Sequence, residues 1–380
     1  MTKYFFYVLV AFHILCPGLA GEENNNPPQI DEEDLTPEVP DLRVLTPEQE
    51  HHRKVYAMPV NALRWLKANQ EGNGSWSPKQ NPEAMTALAV LAFLSQGETP
   101  ASEAYGETVR KAIQWLAIDM QRNHGKLAND DFTHAVSTWA LAEAYSLIRI
   151  PFIKPATEAG VKTIIKGQQK GGGFAKGYAQ EAAWDLNFSA WNMMALKAAY
   201  VAGSETPGLE EAMEKAAQFL LVTANTDGLF RQTPFADGDV LSTAQGTFLL
   251  ILLGQGKSKQ SHQAKAIIQS YKPLWEKGTS LPAANRLYFM DQARFHSGRK
   301  TYKDWWPLFS QMKLDHQYAD GHWESPAGDV YSGKPADPYY TTALMVLAIP
   351  PIRNLPTYKV SEERRQIENK DVFNLKDEEF

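Results

Sequence analysis

The chain has 380 residues, of which 43% are hydrophobic and 22% are charged. This composition supplies ample apolar surface for a folded core and excludes disorder throughout the chain. The formal net charge is -6, from 38 basic and 44 acidic residues, and the sequence has no dense stripe of lysine and arginine. A nucleic acid is therefore not expected as a partner, because phosphate backbones are bound by clustered basic side chains.

The first twenty residues have the pattern of an export signal. Lys3 supplies a positive start, an apolar run follows over residues 4–15, and residues 18–20 form a small-residue cleavage site. The run is too short to span a bilayer, so the mature chain is expected to lack a transmembrane helix and to be secreted or periplasmic. The only cysteine, Cys16, lies in this segment, which excludes disulfides from the mature chain and leaves a lipoprotein anchor on Cys16 as an alternative.

Two polar segments flank the central part of the chain. Residues 21–50 combine prolines with an acidic cluster at residues 31–34, which predicts a disordered acidic linker. Residues 351–380 are charged and lack a sustained apolar face, so we expect a flexible tail outside the core. The folded domain is thus predicted to cover residues 51–350, and a protein partner would bind either its surface or the acidic linker.

Between these ends one pattern recurs with a period near fifty residues. An amphipathic helix is followed by a glycine-containing turn with an aromatic or apolar residue, and then by a second, mostly uncharged helix. The turn glycines are Gly74, Gly125, Gly173, Gly228 and Gly321. The long interval between the last two predicts a degenerate copy over residues 263–295, which makes about six helix pairs in all.

The two helices of each pair differ in polarity. The second helices, such as residues 241–253 and 341–349, are uncharged along their length and need burial on all sides. The first helices carry charged side chains such as Lys111 and Glu214, which need solvent. An inner barrel of second helices inside an outer ring of first helices meets both requirements. The predicted fold class is therefore all-α, an (α/α)6 toroid.

The first copy carries a specific motif, A-x-x-W-L-x-x-x-Q-x-x-x-G-x-W, over residues 62–76. This spacing resembles the repeat of squalene cyclases and protein prenyltransferase β subunits, and residues 317–323 repeat its second half. The resemblance covers roughly residues 55–350 and implies the same toroid that the repeat pattern predicts. A full squalene cyclase has two such domains, whereas this chain has room for one.

In such a ring the inner helices begin around one mouth of a central cavity, where free N–H groups and partial positive charge gather. Four copies have an aspartate just before the inner helix, for which helix capping is one explanation and a ligand or catalytic site the other. These aspartates are Asp130 or Asp131, Asp185, Asp239 and Asp337.

Two further polar positions, three residues apart on each inner helix, share one helix face and are expected to line the mouth, with local hydrogen bonding to the backbone as the alternative. The first position holds Glu83, His134, Ser189, Ser242 and Tyr339, and the second holds Thr86, Ser137, Asn192, Gln245 and Thr342.

The resemblance also implies candidate chemistry, and the sequence departs from it twice. Class II terpene cyclases protonate an alkene with an acid from an Asp-x-Asp-Asp motif, and Asp130 and Asp131 stand at the comparable place without the first aspartate. Prenyltransferases hold zinc with an aspartate, a cysteine and a histidine. Here Asp237 is followed by Asp239 at the cysteine position, and Tyr340 stands where the histidine is expected. Zinc favours nitrogen and sulfur ligands, so we expect no metal and no other cofactor.

Exported polysaccharide lyases and glycosidases also use α/α toroids, with either tyrosine, histidine and asparagine or paired carboxylates in a central cleft. His134, Asn192, Tyr339 and Tyr340 are of those types. Three functions therefore remain open. The leading hypothesis is a ligand-binding or scaffold toroid for an isoprenoid, another lipid or a glycan, because both reaction-specific sets are incomplete. The alternatives are a divergent terpene cyclase or isomerase using Asp130 or Asp131, and a glycan-cleaving enzyme using His134 with Tyr339 or Tyr340.

Overall fold

The computed structural model describes residues 46–77, 79–127, 132–278, 281–331, 334–349 and 354–358, and those from Pro47 onward cluster into one compact unit. The described helices, in chain order, are α1 (Pro47–Ala68), α2 (Pro82–Ser95), α3 (Gly106–Arg122), α4 (Thr133–Ile148), α5 (Ile153–Gly167), α6 (Leu186–Val201), α7 (Leu209–Thr223), α8 (Val240–Leu252), α9 (Lys259–Ile268), α10 (Ala283–His296), α11 (Arg299–Lys303), α12 (Trp306–His316) and α13 (Pro338–Leu347). Two short antiparallel hairpins pair β1 (Phe230–Arg231) with β2 (Gly238–Asp239), and β3 (Val330–Tyr331) with β4 (Lys334–Pro335).

The helices form two concentric rings. In the inner ring α2, α4, α6, α8, α10 and α13 contact one another in that order, and α13 returns to α2. The other long helices lie outside, with α12 against α1 where the ring closes. The chain is therefore an all-α, (α/α)6 toroid, which confirms the predicted fold class. We call the end at which the inner helices begin the mouth and the opposite end the far end.

Burial explains which helix takes which ring. All residues of α2 from Ala84 to Ser95 are buried, so its side chains have apolar neighbours in every direction. By contrast α3 buries one face, with Val109, Ala112 and Leu116 inside and Arg110 exposed. The amphipathic helices can only lie outside, because their charged faces require solvent.

The repeat motif joins each copy to the next. Gly74 has φ +97°, and a Cβ there would lie 2.8 Å from the backbone of Lys111 on α3. Gly321 has φ +104°, and a Cβ there would lie 2.4 Å from the carbonyl oxygen of Asn61 on α1. Only glycine combines this backbone conformation with so close an approach. The last copy thus packs on the first helix, as a closed ring requires.

The motif glutamines add hydrogen bonds at the same junctions. Gln70 Nε2 donates to the Gly74 carbonyl (3.0 Å) of its own turn and to the Thr108 carbonyl (2.9 Å) of the next outer helix. Gln317 Nε2 does the same with Gly321 (2.7 Å) and with Met58 on α1 (3.0 Å). The glutamine of the repeat is therefore a structural link between neighbouring copies.

Two details of the repeat differ from the sequence prediction. The positive-φ glycine of the third copy is Gly172 (φ +91°) and not Gly173, because Gly172 approaches the next outer helix at Lys215. The degenerate copy forms α9 and α10 without the glycine turn. Instead Asp329 accepts hydrogen bonds from the backbone N–H groups of Gly278 and Ala283, both at 2.7 Å, ahead of α10.

The C-terminal boundary also differs. The prediction placed the flexible tail from residue 351 onward, but Asn354–Tyr358 packs against the inner ring, with Leu355 and Tyr358 buried. Asn354 also donates to the Ser95 carbonyl (3.0 Å), so a short uncharged stretch within the charged tail is anchored to the barrel. The predicted signal segment, most of the acidic linker and residues 359–380 lie outside the described residues. None of the described helices combines the length and apolar character needed to cross a membrane.

Candidate functional site

The predicted aspartates at the mouth are helix caps in the described copies. Asp185 accepts the Phe188 N–H (2.8 Å), and Asp239 accepts the N–H groups of Leu241 and Ser242 (both 2.8 Å). Asp337 accepts the Tyr339 N–H (2.9 Å). Each carboxylate thus satisfies N–H groups that lack a partner within the helix. Asp130 and Asp131 lie outside the described residues.

These caps also make side-chain bonds that hold the rim of the mouth. Asp185 accepts from Gln232 Nε2 (2.9 Å), and burial raises its pKa. Asp239 accepts from the Ser242 hydroxyl (2.6 Å) and Asp337 from the Ser77 hydroxyl (2.6 Å). Asp237 differs from all three in its role, since it lies exposed on the hairpin that precedes α8 and the cap of that helix is Asp239.

One polar side chain per inner helix supports the glycine turn. Thr86 accepts the Trp76 N–H (3.1 Å), Ser189 the Phe174 N–H (2.9 Å), and Thr342 the Trp323 N–H (3.0 Å). In the remaining complete copies, Thr243 accepts the Phe230 N–H (3.0 Å) and His134 accepts the Leu127 N–H (3.2 Å).

The predicted alignment of polar positions is therefore wrong in register. His134 and Ser189 correspond to Thr86 and Thr342, not to Glu83 and Tyr339, and their role is to close the turn. The bonding side chain follows its turn partner by 10 residues at Thr86, by 7 at His134 and by 19 at Thr342, so spacing along the chain does not identify equivalent positions.

His134 is locked in a neutral structural role. Its Nδ1 accepts from Leu127, so Nε2 carries the proton and donates to the Gly160 carbonyl (3.1 Å). The ring is 1% exposed, and burial lowers its pKa to about 4. Both ring nitrogens already have a partner, so His134 offers no free base to a ligand.

Some of the other predicted residues are buried in the core, and the others lie at the mouth. Ser137 and Asn192 are buried, and Asn192 is held by the Phe188 carbonyl (2.9 Å) and the Tyr178 hydroxyl (2.8 Å). Glu83 is half-buried, as is Tyr339, whose ring lies 4.9 Å from the ring of Trp65 on α1. Tyr340 points inward and is 1% exposed. Of the predicted set, Gln245 and Tyr340 are brought together at the mouth.

Three amide side chains form what we call the amide floor: Asn187 on α6, Gln245 on α8 and Asn285 on α10. Asn187 Oδ1 accepts from Gln245 Nε2 (2.8 Å) and from Asn285 Nδ2 (3.2 Å). Tyr340 of α13 lies beside Asn285, and burial raises the pKa of its hydroxyl. Gln245 and Asn285 are each 2% exposed, while Asn187 is half-buried and faces the opening.

The amide floor has unused hydrogen-bonding capacity. The oxygens Gln245 Oε1 and Asn285 Oδ1 are buried and have no hydrogen-bond partner. A buried acceptor without a partner costs about 1 to 3 kcal/mol, so such atoms mark a place where a water or ligand donor belongs. The amide floor therefore offers two buried acceptors that no donor pairs with.

Sequence reasoning missed two of these three amides. Asn187 follows the Asp185 cap by two residues, but the predicted alignment placed Ser189 and Asn192 of the same helix at the mouth. Asn285 lies in the degenerate copy, where no glycine turn marks the start of the inner helix. A search for amides near the start of all six inner helices would have found both.

Aromatic side chains fill the lumen beside and below the amide floor. Trp191 of α6 stacks on Tyr288 of α10 with ring centroids 5.7 Å apart, and Phe132 meets Tyr340 edge to face at 5.8 Å. In each pair the two helices are not neighbours in the ring, so these contacts cross the lumen. All four rings are at most 7% exposed. These four rings therefore occupy part of the lumen at these levels.

The far end of the lumen is closed by the C-terminal segment. Tyr358 lies against Tyr288, with hydroxyl oxygens 3.2 Å apart. The buried carboxyl of Glu143 accepts from Trp139 Nε1 (3.0 Å) and from the Thr357 N–H (3.4 Å). Burial raises the pKa of Glu143 to about 7. The described part of the chain holds no group of three or more histidine, cysteine, aspartate or glutamate residues arranged to bind a metal ion.

Comparisons with known proteins identify the fold but no family. No protein-family profile and no curated protein matches the sequence. Among solved structures, the chain is similar to the type II terpene cyclase MstE from Scytonema, at 16% identity over 80% of this chain and 99% of that chain, with TM-score 0.52. A variant of that cyclase in complex with geranylgeranyl dihydroxybenzoate, its substrate, gives 16% identity, 81% and 99% coverage, and TM-score 0.51.

A second kind of enzyme has the same architecture. An inactive variant of the α-1,6-mannanase GH76A of Salegentibacter sp. HEL1_6, in complex with α-1,6-mannotetrose, matches at 11% identity over 80% of this chain and 99% of that chain, with TM-score 0.57. At these identities the similarity establishes the toroid and leaves the chemistry to the residues of this chain.

Proposed function

We propose that this chain is an exported toroid that binds a hydroxyl-rich ligand of the glycan class at the mouth of its barrel. The observation that carries the proposal is the amide floor, where two buried amide oxygens have no hydrogen-bond partner. Sugar hydroxyls donate and accept at once, so they suit a floor that offers free acceptors beside the half-buried Asn187. Exported folded proteins also meet glycans in the compartment that the first twenty residues predict.

The lumen favours a glycan over an isoprenoid. An isoprenoid needs a deep apolar cavity, but cross-lumen contacts such as Trp191 with Tyr288 occupy that space. The mouth is instead lined by amides, caps and partly exposed aromatic rings. Phe235, 88% exposed on the hairpin ahead of α8, is placed to stack on a sugar ring as aromatic side chains do. The structurally similar mannanase supports the proposal in that it binds a glycan on the same architecture.

Binding to oligosaccharides tests the proposal directly. Isothermal titration calorimetry of the mature protein would use α-1,6-mannotetraose, cellotetraose, xylotetraose and chitotetraose, with geranylgeraniol as the isoprenoid. We expect saturable 1:1 binding of at least one oligosaccharide and none of geranylgeraniol. Binding of geranylgeraniol alone, or of none of the oligosaccharides, would contradict the proposal.

Variants locate the site. Asn187→Ala removes the shared acceptor of the floor and is expected to weaken oligosaccharide binding at least tenfold, because the two neighbouring amides lose their partner. Asn123→Ala is the matched control, since Asn123 is the exposed residue that follows α3 and its side chain hydrogen-bonds Asp119. Equal affinity of both variants would place the site elsewhere.

Turnover is a separate question from binding. If a bound oligosaccharide is cleaved, we assign the acid and the base to Asp130 and Asp131, which are neighbours in the sequence, since His134 has both ring nitrogens bonded. We expect Asp130→Asn and Asp131→Asn to leave affinity unchanged and to abolish any cleavage, as measured by product chromatography. Unchanged cleavage by both variants would exclude that pair.

A further inference from the structure

A small cavity lies on the outer wall of the ring, where the first glycine turn packs against α3. Its volume is about 260 Å³, and its lining includes Trp115, Asp119 and Arg122 of α3. We call it the turn pocket. The turn is fixed on α3 by Gln70, whose Nε2 donates to the Thr108 carbonyl (2.9 Å), so the pocket is formed before any ligand binds. The proposed glycan site makes no use of it.

One carboxylate oxygen in the turn pocket has no hydrogen-bond partner. Asp119 Oδ1 accepts from Asn123 Nδ2 (3.2 Å), but Asp119 Oδ2 is buried and unpartnered. Burial raises the pKa of Asp119, and the positive charge of Arg122 opposes that rise. A buried acceptor that has left water without gaining a donor is unfavourable, so Oδ2 marks a place where a ligand donor belongs.

A filled counterpart of the turn pocket occurs where the ring closes. Trp65 holds the same position in the repeat motif as Trp115. The imidazole of His322, from the glycine turn of the last copy, stacks on Trp65 with ring centroids 4.9 Å apart and an angle of 18° between the planes. His322 Nδ1 donates to Asp320 Oδ1 (2.5 Å). At that junction the tryptophan therefore contacts a flat ring whose N–H group meets a carboxylate.

The turn pocket lacks such a ring. Ser75 follows Gly74 at the position that His322 occupies after Gly321, and a serine side chain cannot stack. Trp115 is half-buried, and none of the aromatic rings in the described part of the chain stacks on it. Trp115 therefore offers its ring to an aromatic ligand.

The charges around the turn pocket come in opposite pairs. Lys111 is paired with Glu107 on the same helix (3.4 Å). Asp119 and Arg122, three residues apart on one face of α3, then remain as one negative and one positive group. A ligand that carries an ammonium and a carboxylate matches both groups, whereas a purely anionic or cationic ligand meets one like charge. The volume lies below the range of about 300 to 1,000 Å³ that is typical of drug-sized ligands, which fits a molecule as small as an amino acid.

We propose that the turn pocket binds an aromatic α-amino acid, with its ring on Trp115, its ammonium on Asp119 Oδ2 and its carboxylate at Arg122. The ammonium supplies the donor that Oδ2 lacks, and the ring covers Trp115 as His322 covers Trp65. The site is separate from the mouth, and it stands whether or not a glycan binds there.

Matched ligands test each contact in turn. Isothermal titration calorimetry of the mature protein would compare L-phenylalanine with 3-phenylpropionate, which lacks the ammonium, and with 2-phenylethylamine, which lacks the carboxylate. We expect saturable 1:1 binding of L-phenylalanine, at least tenfold weaker binding of 3-phenylpropionate and two- to fivefold weaker binding of 2-phenylethylamine. No binding of L-phenylalanine, or equal binding of either analogue, would overturn the proposal. Displacement of L-phenylalanine by methyl α-D-mannopyranoside would also overturn it, because the pocket would then be a sugar site.

Variants tie the binding to α3. Asp119→Asn keeps the size of the side chain and removes its charge, so we expect at least tenfold weaker binding of L-phenylalanine with an unchanged circular dichroism spectrum. Arg122→Gln, at an exposed position, is expected to weaken L-phenylalanine binding two- to fivefold and to leave that of 2-phenylethylamine unchanged. Asp227→Asn, exposed and outside the pocket, is the control and should bind as the parent does. Parent affinity in Asp119→Asn, or equal losses for both ligands in Arg122→Gln, would overturn the proposal.

Discussion

The two ends of the inner barrel use opposite hydrogen-bonding chemistry. At the mouth, acceptors meet backbone N–H groups, as Asp239 does with Leu241. At the far end, donors meet backbone carbonyls: Lys313 Nζ donates to Met345 (2.8 Å) and Ala348 (2.7 Å) at the end of α13. The difference follows from helix polarity, because a helix begins with unpaired N–H groups and ends with unpaired carbonyls.

The same division recurs on other helices. Arg149 donates to the Ala202 carbonyl (2.7 Å) at the end of α6, and Asn354 donates to the Ser95 carbonyl (3.0 Å) at the end of α2. A closed ring of parallel inner helices therefore has one end that collects carboxylates and amides and another that collects cations.

The two ends also differ in burial, which sets how much each contact contributes to stability. Asp239 is exposed at the rim, whereas Lys313 is fully buried. A polar group that loses its partner in the core cannot recover hydrogen bonds from water, but one at the surface can. We therefore expect substitutions at the far end to destabilise the protein more than those at the mouth.

The largest effect is expected for Lys313→Met. Burial lowers the pKa of Lys313 to about 7 and raises that of the nearby Asp291 to about 7, so each limits the cost of burying the other. Removing the amine leaves two carbonyls and a buried carboxyl without a cation, and should lower the free energy of unfolding by about 3 to 5 kcal/mol. Denaturant unfolding followed by circular dichroism measures it. Lys272→Met, at an exposed position, is the control, and a loss below about 1 kcal/mol would contradict the burial argument.

An intermediate effect is expected for the pH dependence of Glu143. Its pKa rises from 4.5 in the unfolded chain to about 7 in the fold, so the unfolded state releases its proton first. The stability contributed by the protonated carboxyl is fully present below pH 4.5 and is lost as pH rises through about 7. The loss is on the order of 3 kcal/mol.

The variant Glu143→Gln isolates this effect because it keeps an oxygen for Trp139 and cannot ionise. We expect the stability of the parent relative to the variant to fall by about 3 kcal/mol between pH 4.5 and 8 in denaturant unfolding. Parallel pH profiles for the two proteins would show that Glu143 does not carry the effect.

The smallest effect is expected at the mouth. Asp239→Ala removes the cap of α8 and should lower the free energy of unfolding by about 1 kcal/mol, since water can replace the carboxylate. Asp237→Ala, two residues earlier on the same hairpin and exposed, should change it by less than about 0.5 kcal/mol. Thermal unfolding of the two variants side by side measures the difference. A cost for Asp239→Ala as large as that for Lys313→Met would remove the contrast between the ends.

Much of the fold was predictable from the repeat alone. The fifty-residue period, the uncharged second helices and the motif over residues 62–76 predicted a ring of six helix pairs. The capping explanation for Asp185, Asp239 and Asp337 was also available, because aspartate is a preferred N-cap. These inferences hold because capping, helix period and turn glycines depend on residues close together in the chain.

The site was less predictable. His134 is of a residue type that often acts as a catalytic base, yet its role here is to close a turn. Its ring lies between the Leu127 N–H and the Gly160 carbonyl and bonds both. Asn187, Gln245 and Asn285 come from three copies with different offsets, and only the ring brings them together. The burial of Tyr358 likewise depends on the tertiary structure, because its ring fills a space that the inner helices leave at the far end of the lumen.

The sequence by itself therefore determined the architecture: alternating helix pairs, the polarity of each helix and the caps at the mouth, all set by local spacing and hydrophobic pattern. Only the tertiary structure decided that rings such as Trp191 lie in the lumen, that three amides meet at its mouth, and that Lys313 is buried at the far end. Those features depend on which side chains from distant copies point at one another. The direction of each side chain depends on how its helix is rotated about its own axis. Contacts with both neighbouring helices fix that rotation when the ring closes.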